Sequence, residues 1–180
     1  MKFALAAAFI SAVVSAVQAQ SEPAAAAHLQ HHACRYPTVP LLRAYNPSAT
    51  DYFYTTNTTE MQNAVTHLGY LQEGNAATIH PEQTPITIPL YRLYSPDASD
   101  HVYTTEAYER IIAGENGYVE EGVTGYVYEV PLCGTVPLYR MYSPKGTDHF
   151  YTTSAEERDT AVESLGYTDE GITAYVNPQA

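Results

Sequence analysis

The sequence predicts a mainly β fold: one compact domain of three pseudo-symmetric repeats, trefoil-like, with one short helix per repeat. Three observations carry this. One pattern recurs three times, as LLRAYNPSATDYFYTT from Leu41, LYRLYSPDASDHVYTT from Leu90 and LYRMYSPKGTDHFYTT from Leu138. Each copy runs on through a Gly-Tyr step to Glu-Gly: Gly69-Tyr70 to Glu73-Gly74, Gly117-Tyr118 to Glu121-Gly122, and Gly166-Tyr167 to Glu170-Gly171. The starts lie 49 and 48 residues apart. A fixed period of this size marks a repeated structural unit, and no unit is large enough to bury a core alone. The repeats are bounded at 40–79, 89–128 and 137–176, within a domain spanning 40–178.

The third copy shows the elements most clearly. Leu138 to Tyr142 alternates between two faces, as a strand does. Ser143-Pro144-Lys145-Gly146-Thr147 is a turn. Asp148 to Thr153 is rich in β-prone residues and forms the second strand. Ser154, with Glu157 three residues on, predicts a capping box at a helix start. Arg158, Ala161, Val162 and Leu165 then share one helical face, and Gly166 ends the helix. The corresponding faces are Met61, Ala64, Val65 and Leu68 in the first copy, and Tyr108, Ile111 and Ile112 in the second. The last strand runs from Ile172 to Val176, matched by Val123 to Val127 and by Ala76 to Ile79. The first copy diverges most, with Leu42 where the others have Tyr91 and Tyr139, and Tyr52 where they have His101 and His149. The helix has no place in a standard trefoil.

Residues 1–19 read as a secretory signal: Lys2, an apolar run from Phe3 to Ala16, and small residues before a cleavage site after Ala19, with Ala16 as the alternative. The run is short for a membrane span. Residues 20–39 read as a flexible leader. Its His28, His31 and His32 lack fixed geometry for a metal site. Cleavage removes Lys2 alone among the charged residues, leaving 7 basic against 20 acidic residues and a formal charge of −13. Such a charge disfavours nucleic acid and anionic lipid surfaces. Cys34 and Cys133 are the only cysteines; in an exported protein they are expected to pair, the alternative being two buried thiols.

The string P-L-Y-R-x-Y, then P, then D-H-x-Y-T-T, then G-Y and E-G resembles a secreted repeat family described only as a domain of unknown function, of the 5648 type. The resemblance covers Pro40 to Val176. It implies an extracellular location and attachment to surface polymers. The family carries no established catalytic residues, so the resemblance transfers none.

Four positions recur in register: Arg43, Arg92 and Arg140; Tyr45, Tyr94 and Tyr142; Asp51, Asp100 and Asp148; and Tyr54, Tyr103 and Tyr151. On one reading they are structural, an Arg–Asp pair pinning each hairpin and the tyrosines forming core. On the other they are repeated sugar-binding surfaces, with His101 and His149 as added lining. Sugars are recognised by planar charged hydrogen-bonding groups and by an aromatic face, and three weak sites gain by avidity on a polymer. Within this second reading the first-copy residues Arg43, Tyr45, Asp51 and Tyr54 rank below their counterparts. Asp148 and Glu170 are formally available as a catalytic pair, and His101 and His149 as zinc ligands. The carboxylate pair recurs in every copy, however, and no hydrolase or phosphate-loop motif is present.

The expectation is therefore a secreted, monomeric, non-catalytic module without cofactor or metal, binding a glycan or cell-wall polysaccharide. A secreted structural or effector-like scaffold is the second reading and a small extracellular hydrolase the third. Asn57-Thr58-Thr59 is the one acceptable glycosylation sequon, at a position where a helix-capping role would compete.

Overall fold

A computed structural model describes residues 34–179. The expected signal peptide and most of the leader, including His28, His31 and His32, lie outside the described residues. Each repeat forms its own antiparallel sheet of three strands. In the first, β1 (Val39–Asn46) lies between β2 (Asp51–Thr55) and β3 (Leu71–Ile79), with α1 (Thr58–His67) inserted between β2 and β3. The second repeat has β4 (Ile88–Ser95), β5 (Asp100–Thr104), α2 (Ala107–Glu115) and β6 (Val119–Val127). The third has β7 (Val136–Ser143), β8 (Asp148–Thr152), α3 (Ala155–Ser164) and β9 (Thr168–Val176). The threefold arrangement and the helix per repeat are as the sequence predicts; the nine strands make three separate sheets.

The third strands begin earlier than the sequence indicates, at Leu71, Val119 and Thr168, because each contains a bulge at its Glu-Gly step. Gly74, Gly122 and Gly171 sit opposite Arg43, Arg92 and Arg140 with φ of +94°, +105° and +92°. Side chains rarely tolerate that conformation. The glycine thus lets the strand kink, and the glutamate before it turns toward the arginine.

The sheets meet along their second strands. Leu41, Leu90 and Leu138 join Ile79, Val127 and Val176 in one shared core around Tyr54, Tyr103 and Tyr151. Isolated bridges Thr78–Asn177, His80–Tyr126 and Tyr128–Tyr175 close the third strands against one another. Smaller clusters lie beneath α1 (Leu42, Phe53, Met61, Ala64) and α3 (Met141, Phe150, Ala161).

The helices differ from expectation in two ways. Of the predicted faces only Met61, Ala64 and Ala161 are buried, and α2 buries none of its residues, with Tyr108, Ile111 and Ile112 exposed. The physical reason is substitution at the contact: Arg110 and Arg158 lie over the rings of Tyr91 and Tyr139, at 4.4 and 4.6 Å, where the first repeat packs Met61 in the cluster containing Leu42. The cap on α3 is half a capping box. Ser154 Oγ accepts from Glu157 N at 3.2 Å, whereas the Glu157 carboxylate turns away to Arg43 and Thr152.

Cys34 and Cys133 form a disulfide with a Cα–Cα distance of 5.4 Å. Nearby, the Pro37 carbonyl lies 2.9 Å from His80 Nδ1, whose Nε2 lies 2.9 Å from the Tyr128 hydroxyl. Among the described residues no helix is long and apolar enough to cross a membrane.

Candidate binding site at the repeat junctions

Alternation along each second strand directs one tyrosine to the axis. The hydroxyls of Tyr54, Tyr103 and Tyr151 form a closed circuit there. Tyr103 Oη donates to the Tyr54 carbonyl at 2.7 Å and accepts from the Tyr54 N–H at 2.7 Å. Tyr151 serves Tyr103 in the same way, at 2.9 Å for both bonds, and Tyr54 serves Tyr151, at 2.7 and 2.9 Å. The rings stand edge to face with centroids 5.3–5.6 Å apart, a favourable arrangement for aromatic quadrupoles. Burial drives all three phenols above their ordinary pKa, so the hydroxyls stay protonated and able to donate.

Asp51, Asp100 and Asp148 begin the same strands, fully buried, with carboxylate oxygens within 4.8 Å of one another. Each reaches into the next repeat. Asp51 accepts from the backbone N–H of His101 at 3.0 Å and from its Nδ1 at 2.7 Å; Asp100 does the same with His149 at 2.8 and 2.7 Å. Asp148 closes the ring on the Tyr52 N–H at 3.0 Å. Tyr70, Tyr118 and Tyr167, from the Gly-Tyr steps, donate their hydroxyls to the same three carboxylates. All six oxygens therefore already accept protein donors.

Where the sister aspartates face an imidazole, Asp148 faces the backbone of Tyr52. Burial, with added repulsion from Asp100 and Asp51, pushes its carboxyl up to about 7. The folded chain then holds a proton that the unfolded chain, with an ordinary Asp near 3.9, releases. Stability from this group is complete below about pH 4 and is lost as pH rises to about 7, a decline on the order of 4 kcal/mol at most. Urea unfolding at pH 4.5 and pH 8 should show Asp148→Asn with the smaller decline. An equal decline in both proteins would overturn the assignment.

The arginines bind across the same junctions. Arg92 pairs with Glu60 on α1 at 2.7 Å and with Glu121 on β6 at 2.8 Å. Arg140 pairs with Glu109 and Glu170, both at 2.8 Å, and Arg43 with Glu157 and Glu73, both at 3.0 Å. For Arg43 and Arg92 the Nε–H does not point along its contact, so the third-strand carboxylate acts as a close counter-charge. The paired threonines complete the seam. Thr55, Thr104 and Thr152 accept the N–H of the residue before each helix, all at 3.0 Å. Thr56, Thr105 and Thr153 donate to carbonyls of the next repeat, at 3.0, 3.2 and 3.1 Å.

Cavities open between these seams. One of about 370 Å³ lies between repeats 1 and 2 and is lined by Asn46, Phe53, Glu60, Asn63, Tyr70, Arg92, Tyr94, His101 and Glu121, among others. Arg92 lies 5.2 Å over the Phe53 ring, and the Tyr94 and His101 rings are 4.5 Å apart. A second cavity of about 270 Å³ lies between repeats 3 and 1, around Tyr52, Phe150, Glu157 and Tyr167.

The sequence model of the family described as a domain of unknown function (DUF5648) matches residues 40–177. The chain belongs to the DUF5648 family. No curated protein and no solved structure matches it.

The residues expected to bind ligand divide sharply in this DUF5648 domain. Arg92, Tyr94 and His101 come together around the cavity between repeats 1 and 2. Arg140 lines a neighbouring recess of about 250 Å³ between repeats 2 and 3. Tyr142 and His149 are half-buried side by side, 4.7 Å apart, as are Tyr45 and Tyr52 at 4.6 Å. Arg43 is half-buried in its own ion pairs. By contrast Asp51, Asp100, Asp148, Tyr54, Tyr103 and Tyr151 are at most 1% exposed; the axis that orders them also takes them off the outer surface. The expected Arg–Asp pair within a hairpin does not form. Each arginine takes two glutamates instead, and each aspartate a neighbouring repeat.

Glu60, Glu109 and Glu157 stand in register three residues past each helix cap; the sequence assigns a capping role to Glu157 and gives no role to the other two. Asn63 carried no repeat signal, and Phe53 recurs only as Phe150. Asn57 caps α1 through Oδ1, which accepts from Thr59 N and Glu60 N at 2.9 and 3.1 Å. The cap thus engages the oxygen of the carboxamide whose Nδ2 a glycan would take.

Proposed function

We propose that this domain is an exported, non-catalytic binding module for carbohydrate, a glycan or cell-wall polysaccharide, held at the junctions between repeats. The observation that supports this is the cavity between repeats 1 and 2. Its volume falls in the range of roughly 300–1,000 Å³ usual for ligand sites. It combines an apolar ring, a paired guanidinium, two carboxylates, an imidazole and two phenols, the set that recognises vicinal hydroxyls and the apolar face of a sugar. The disulfide fits an oxidising compartment, and the acidic surface disfavours nucleic acid.

The reading assigns no catalytic carboxylate. Burial works to raise Glu60, but hydrogen bonds from Arg92 and Thr55 hold it below the ordinary carboxylate range. A general acid needs the opposite shift. A second reading, a secreted structural or effector-like scaffold, is favoured by the burial of the repeated aspartates and axial tyrosines.

A glycan array and polysaccharide pull-down with the purified domain separate the two. The module reading expects retention on at least one glycan, reduced about tenfold or more in Tyr94→Ala/Glu121→Gln. His101→Ala is a poor probe because it strips Asp51 of a buried partner. Retention of no glycan would favour the scaffold.

A further inference from the structure

The three junctions are related by the repeat but are not equal. At the first, Phe53 and His101 flank the cavity and α1 presents Asn63 to it. At the second, the corresponding residues are Val102, His149 and Ile112; at the third, Phe150, Tyr52 and Thr160. Only the first therefore unites an aromatic ring, an imidazole and a carboxamide. Asn63 and Tyr94 line it outside the ion-pair network, which leaves a carboxamide and a phenol directed to a guest.

The charge of this junction is also uneven. Glu60 and Glu121 share one guanidinium, at 2.7 and 2.8 Å, and the His101 Nε2 lies 3.6 Å from Glu121, so carboxylates outnumber guanidinium groups here, within a chain of net charge −12. An acidic guest would meet repulsion in a partly desolvated site. A hydroxyl or an amine would instead find carboxylate acceptors.

Resting on the carbohydrate reading above, we infer that the junction of repeats 1 and 2 is the single principal sugar site, taking one non-acidic sugar ring per chain and excluding uronic acids. Avidity through three equal sites is not part of the design, since the second junction replaces the carboxamide and the ring by Ile112 and Val102, and the third replaces the imidazole by Tyr52.

Calorimetric titration of the whole domain tests this with soluble oligomers of glucose, N-acetylglucosamine, glucosamine and galacturonic acid. The expected result is one site per chain for at least one of the first three oligomers, with the galacturonic oligomer weaker by about tenfold or more. Asn63→Ile, which installs the residue of the second repeat at an exposed helix position, should weaken binding by about tenfold. Gln62→Ala on the same helix should change it by less than about twofold. Urea unfolding of each variant establishes that the fold is intact. Three equivalent sites, preference for the galacturonic oligomer, or full affinity in Asn63→Ile would overturn the inference while the carbohydrate reading stands. Failure of all four oligomers and of the wider glycan array would overturn both.

Discussion

Tyr103→Phe should lower the stability of the domain by roughly 2–5 kcal/mol, out of proportion to the loss of one oxygen. The substitution keeps the ring and its edge-to-face contacts with Tyr54 and Tyr151. It deletes a hydroxyl that satisfies both the N–H and the carbonyl of Tyr54 in a site without water access. An unsatisfied buried polar group costs about 1–3 kcal/mol, and here two are stranded at once. Denaturant unfolding should show a lower midpoint with little change in slope. Tyr54→Phe and Tyr151→Phe should behave alike, because each hydroxyl serves one neighbour in the circuit. A shift below about 0.5 kcal/mol, the usual scale of surface substitutions, would show that the circuit does not hold the axis together.

Removing the disulfide with Cys34→Ala/Cys133→Ala should cost a comparable amount. The bond spans a sequence separation of 99 residues, and the chain-entropy model gives about 4–5 kcal/mol for a loop of that length. The bridge joins the segment ahead of β1 to the linker between repeats 2 and 3, and the Pro37–His80–Tyr128 contacts hold the same region. Dithiothreitol should reproduce the effect in the unsubstituted domain and do nothing to the variant. Thiol titration of the native protein should find no free cysteine, and equal stabilities of the two proteins would sink the assignment.

The parts of this fold that were legible in the sequence are those that every repeat must solve alike. Strand alternation, the turns and the glycine after each helix recur in register, so one copy explains the others. What escaped was the direction of the polar contacts. Arg92 and Asp100 lie in paired strands of one hairpin, which suggests a local bond, yet Arg92 binds Glu60 of the preceding repeat and Asp100 binds His149 of the following one. Linear spacing carries no information on which neighbour a side chain will meet across a ring. The cavity escaped for the converse reason. Phe53 and Asn63 matter because the other copies lack one or both, and a search for what repeats passes over what differs.

Every seam in this domain runs from one repeat to the next and from the third back to the first. An open stack of repeats has two ends and needs specialised caps; this ring has none, and each repeat is completed by its neighbours. The axis is filled by three phenol rings that satisfy one another's backbone in turn. A fourth repeat would find no gap in the circuit and no exposed end to join. Copy number is therefore set at three by the geometry of the axis. Duplication could add a second ring beside the first, but it could not enlarge this one.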